Sequence, residues 1–251
     1  MGHERVGLLP KTKPWRSLVE QVGAEAGDVE ALPRVANRTL AAIGNRFSGL
    51  AADPNIQEAF LFLVDLARSA TLGATDQTLL ERTPLQLSAQ LSQRLLTVTG
   101  SLETRAITQR AVADALTTWY RDRPATPGDL FEPKQTEAAW SGLGSGAGFC
   151  EVSRLFFAKF TERYLSYFLD REASAVLPDL ASREAFRRNL SEHISDVSRH
   201  AFETSKITQS FSAGWFNKHA LSGAVSKPQV NRFLGYAFEK LREEFRREEG
   251  K

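Results

Sequence analysis

Apolar residues along the chain recur at helical spacing, and no run alternates with period two. A short helix is predicted around Trp15 to Val22, behind Pro14 and ended by Gly23 and Gly27. A second runs from about Leu32 to Leu50 with the stripe Val35, Leu40, Ile43, Phe47 and Leu50. Asp53-Pro54 restarts the chain, because Asp accepts hydrogen bonds from a first helical turn and Pro is preset for its first position. The helix that follows, to about Leu72, is apolar nearly all round, which predicts a central helix packed on several sides. Thr83-Pro84-Leu85-Gln86 has the form of a capping box and opens a helix to about Val98, with Leu87, Leu91, Leu95 and Val98 on its apolar face. Ser101 caps the next, which reaches about Tyr120 through Ile107, Ala111, Ala115 and Trp119.

Three prolines and a glycine between Arg121 and Pro133 break the helical pattern. The expected organisation is therefore an all-α bundle of about seven or eight helices in two packed lobes. Residues 1–121 form the first lobe, 122–148 a Pro/Gly-rich connection, and 149–251 an aromatic-rich second lobe. A short helix from about Lys134 to Trp140 lies within the connection. In the second lobe a helix runs from about Phe149 to Glu172, and another, capped by Ser182, passes through Phe186, Leu190, Ile194, Val197 and Ala201. Trp215 to Gly223 reads as a short irregular helix or loop. Ser226-Lys227-Pro228-Gln229 opens a last helix to about Arg247, with the stripe Val230, Phe233, Leu234, Ala237, Phe238, Leu241 and Phe245. Its other face interleaves Arg and Glu, the pattern of a solvated, ion-paired surface.

Composition adds bounds. The chain has 251 residues, 42% hydrophobic and 25% charged, an ordinary globular balance able to bury a core. A net charge of +2 supplies no general attraction to nucleic acid or anionic membrane. A single cysteine, Cys150, excludes an internal disulfide and any cysteine-rich zinc site, and suits a reducing compartment. The opening residues carry no apolar signal region, and the densest apolar stretch, Ala59 to Ala67, is too short to span a bilayer. A cytoplasmic protein is expected, and the excess of arginine over lysine suits a GC-rich bacterial genome.

Candidate chemistry is sparse. Ser141 to Gly148 reads SGLGSGAG ahead of a helix, but it lacks the Gly-Lys-Ser/Thr ending of a phosphate loop and no strand precedes it. A hinge or a close-packing element is the expected role. His3, His193, His200 and His219 form no zinc-binding spacing, so no metal and no cofactor is expected. Arg188, Asn189 and His193 form the string R-N-x-x-x-H. The string resembles the active-site motif of the HEPN superfamily, α-helical domains that include metal-independent ribonucleases. That resemblance implies His193 in acid/base work, Arg188 on the phosphate, and two motifs meeting across a dimer.

Phe149, Phe156, Phe157, Phe160, Tyr164, Tyr167 and Phe168 occupy more than one stripe of their helix. Large aromatics in such excess are preferred interface anchors. The leading expectation is a non-catalytic helical interaction or assembly subunit of an intracellular multiprotein system, binding a protein partner or itself through these aromatics. A HEPN-type ribonuclease is the alternative, and a nucleic-acid-binding helical accessory protein a second one.

Overall fold

The computed structural model describes residues 17, 38–39, 47, 49–71, 78–123, 138–176, 179–203, 211–221 and 223–249. Among these the regular elements are all helical: α1 (Pro54–Ser69), α2 (Pro84–Leu96), α3 (Leu102–Arg121), α4 (Gly146–Val176), α5 (Leu180–Glu203), α6 (Phe211–Trp215) and α7 (Lys227–Glu249). Short 3₁₀ turns occupy Leu50–Ala52 and Thr78–Glu81, and a π-helical turn, Phe216–Ala220, continues α6. The expected all-α bundle is what the chain forms. The helix expected at Trp15 to Val22, most of that from Leu32 to Leu50, and the short helix from Lys134 lie largely outside the described residues.

Local chemistry sets the helix ends. Asp53 Oδ1 accepts from the Asn55 amide at 2.8 Å, so the orphan donors of α1 find a partner. Both halves of the Thr83–Gln86 capping box form on α2. The Ser101 side chain accepts from the Thr104 amide at 3.0 Å on α3. Ser182 is not the cap of α5. That helix starts earlier, at Leu180, because Asp179 accepts from the Ser182 amide at 2.7 Å. The Ser182 amide, aided by its hydroxyl, holds the Asp179 carboxyl below its ordinary value.

α1 is the central rod, with Ile56, Ala59, Phe60, Phe62, Leu63, Val64, Leu66 and Ala67 all buried. It touches α2, α3, α4 and α7. Phe60 stacks on Phe233 of α7 at 4.7 Å between ring centres, and lies 5.8 Å from Phe149 and 6.1 Å from Phe157 of α4. One continuous buried cluster thus runs from Phe47 to Phe245 and takes side chains from both sides of residues 122–148. Ion pairs lash its rim: Arg94 to Asp65 at 2.9 Å, Arg123 to Glu151 at 3.0 Å, and Arg163 to Asp114. All three are partly solvated, so each adds well under about 1 kcal/mol, and apolar burial carries the stability.

The Gly-rich stretch is a packing element. A Cβ on Gly144 would meet the backbone of Ala70 at 2.5 Å, and one on Gly148 would collide with the carbonyl oxygen of Gly142. These glycines let the start of α4 close on the end of α1 and on its own approach. Gly148→Ala is expected to cost about 2 kcal/mol or more, whereas Gly214→Ala, with open space around its position, should be nearly neutral or mildly stabilising. Urea unfolding of the two variants side by side checks the contrast.

Candidate functional site

The aromatic residues expected at an interface are spent inside the chain. Phe149, Phe156, Phe157, Phe160, Tyr164 and Phe168 are buried, and Tyr167 is half-buried with its ring 5.2 Å from Phe168. Their second stripe is covered by α1 and α7. Phe157 lies 5.2 Å from Phe238 in an edge-on contact, and Phe160 lies 5.8 Å from the same ring. α4 also packs against α3 and α5, so neighbours surround it. The surface offered by this chain is elsewhere.

Arg188, Asn189 and His193 all lie in α5, one uninterrupted helix. Five residues turn about 500°, leaving Arg188 and His193 some 140° apart around the axis. Arg188 is exposed, Asn189 half-buried, and His193 half-buried with its ring edge-on to Phe245 at 5.8 Å. A general acid and a phosphate-holding cation must converge on one group. Here they diverge within the protomer, and His193 packs against the core-lining Phe245 of α7. Cys150 is half-buried. Among the described residues, no three His, Cys, Asp or Glu side chains stand close enough to hold a metal ion. No described helix is long and apolar enough to cross a membrane.

Two surface features have the geometry of a site. The first is a groove of about 320 Å³ between α6, its π-helical continuation and α7. Gln229, Arg232, Phe233 and Tyr236 supply one wall from a single face of α7, at i, i+3, i+4 and i+7. Phe211, Trp215 and His219 supply the other. Phe233 is the buried floor, with Trp215 at 4.7 Å and Phe211 at 5.5 Å. Phe211 meets Tyr236 edge-on at 4.8 Å. The sequence reading missed the groove because it treated residues 215 to 223 as irregular and followed only the core stripe of the last helix. The available signal was a second α7 face, one step around from that stripe, carrying Arg232 and Tyr236.

The second feature is the outer face of α2. Leu85 is 80% exposed and Leu96 64% exposed, and Leu102, at the start of α3, is 49% exposed. Between Leu85 and Leu96 the exposed residues of α2 are Gln86, Ala89 and Gln93, so this face carries no charge. A smaller polar cleft of about 250 Å³ lies between Gln57, Glu58, Thr97, Thr99 and Lys227.

These features define a compact helical protein with an aromatic surface groove and an unusually uncharged helix face. No protein-family model, curated protein or solved structure matches the chain. Any assignment of function therefore stands on these surfaces.

Two outcomes follow. Phe157→Ser should destabilise the fold by about 3–5 kcal/mol, as loss of a fully buried Phe does, with no separate effect on assembly in the folded fraction. Denaturant melts and light scattering on the same samples measure both. His193→Ala should leave the fold intact and leave unchanged any background cleavage of single-stranded RNA in EDTA. A rate that falls with this substitution alone would reinstate the ribonuclease reading.

Proposed function

We propose that the chain is a non-catalytic helical assembly subunit that docks through the outer face of α2, onto the same face of a second copy. The observation that carries this reading is the uncharged leucine stripe. Leu85 and Leu96 are eleven residues apart, three turns, so they point within about 20° of each other and stand about 16 Å apart along the helix. Ala89 and the half-buried Ser92, whose hydroxyl accepts from Gln109 of α3, follow the same stripe at spacings of four, three and four. The order large, small, small, large reads the same in both directions. An antiparallel pair of α2 helices therefore sets Leu85 of one copy against Leu96 of the other, with small residues allowing close approach at the centre. This is the self-complementary contact a two-fold axis needs. It also opposes the two helix dipoles favourably.

Magnitudes set the strength. Burying each leucine contributes about 1.5–3 kcal/mol, and four meet in the pair. Association costs about 4–15 kcal/mol in lost freedom. The net is a weak dimer unless Leu102 and its surroundings add to the contact. A reversible assembly in the micromolar range or weaker is expected, in place of a permanent one.

Sedimentation equilibrium from about 1 to 500 µM should show a mass rising with concentration. Leu85→Glu with Leu96→Glu should hold the chain monomeric while its helical circular dichroism is kept, since both side chains are largely exposed. A wild-type chain that stays monomeric throughout that range would defeat the reading.

A further inference from the structure

The groove beside α7 has a chemistry that assembly through α2 does not use. Its floor and walls are ring faces, and none of its lining residues is acidic. Three other cations of α7 are matched: Arg242 with Glu239 at 2.8 Å, Lys240 with Glu243 at 3.0 Å and Arg247 with Glu244 at 2.7 Å. Arg232 is the cation that lines the groove, its side chain is exposed, and among the described residues no carboxylate pairs with it.

We propose that this groove is a binding site for a small planar aromatic anion, a flat ring carrying a carboxylate or a phosphate. The ring lies against Phe233, Trp215 and Tyr236, and the anionic group faces Arg232. An aromatic box alone attracts cations. Here the guanidinium of Arg232, which no described carboxylate neutralises, reverses that preference.

The polar corner is also preset as a donor. The Gln229 side-chain oxygen accepts from the Ser226 amide at 2.8 Å and from its hydroxyl at 2.7 Å. The Gln229 amide nitrogen is thereby committed to donating, and it stands 3.3 Å from Nδ1 of His219. Where Nδ1 accepts from it, the His219 ring carries its proton on Nε2. Cation and donors, with no lining carboxylate, favour an anion over a base or an ammonium ion. The volume, about ten waters' worth, suits one or two fused rings and is too small for a folded peptide segment. The π-helical turn that brings His219 to the groove is an irregularity concentrated at functional sites in helical proteins.

Calorimetric titration of the full chain tests this with three probes: indole-3-acetate, its uncharged counterpart tryptophol, and adenosine monophosphate. Indole-3-acetate or adenosine monophosphate should bind saturably, and tryptophol about fivefold or more weakly than indole-3-acetate. Arg232→Gln should remove the advantage of acid over alcohol, and Tyr236→Ala should weaken both anions. Both residues are exposed, so the variants keep the fold, as circular dichroism would verify. Tighter binding of adenosine monophosphate assigns a nucleotide-like ligand, and the reverse an aromatic carboxylate. Equal binding of acid and alcohol by the wild type overturns the proposal, as does the absence of saturable binding by either anion. The Leu85→Glu, Leu96→Glu double variant should titrate like the wild type, which separates this site from assembly.

Discussion

The stack of Phe60 on Phe233 is the contact on which the rest of the architecture depends. It joins α1, the central and largely buried rod, to α7, and Phe149 and Phe157 of α4 close around it. Offset and edge-on rings at these distances add about 0.5–1.5 kcal/mol per pair beyond simple burial. Their larger effect is geometric. Rigid flat rings allow few ways to interlock, so they fix the rotation of α4 and α7 relative to α1. The groove owes its floor to this contact, since the Phe233 ring that packs on Phe60 also packs on Trp215 and Phe211.

Satisfying the aromatics internally changes what the protein presents to others. An interface built from α4 would have had to expose rings that each contribute several kcal/mol to the core. With that face filled by its own chain, the large apolar side chains left exposed among the described residues include Leu85 and Leu96 on α2, Leu102 and Leu180 at helix starts, Leu221, and Tyr236 on α7. Two surfaces of different chemistry result. One is flat, aliphatic and uncharged, and the other is concave, aromatic and cationic.

Much of the fold was legible because period and capping agree. The stripes Leu87–Leu91–Leu95, Ile107–Ala111–Ala115–Trp119 and Val230 to Phe245 are all buried, and Asp53, Thr83 and Ser101 cap where their chemistry requires. What could not be read was the third dimension. The excess of apolar residues on α4 was plain, but a helical period cannot say whether another segment of the same chain covers the second stripe. α1 and α7 do so here. The candidate string at Arg188 to His193 was visible as spacing, yet its value depends on the helix being broken there, and Asp179 starts α5 well before it. The groove was hidden for the opposite reason: a π-helical turn has no simple period to reveal it.

The contact between the α1 and α7 rings also bears on how the polypeptide matures during synthesis. Phe60 emerges 173 residues ahead of its partner Phe233. Until then the broad apolar face of α1 has no complete cover, and the nascent protein carries a sticky rod that contacts with α2 and α3 screen only in part. Final consolidation is thus a long-range, late event, of the kind that slows folding and favours chaperone attention. Truncation within α7 would on this basis leave a chain rich in helix but open at its centre.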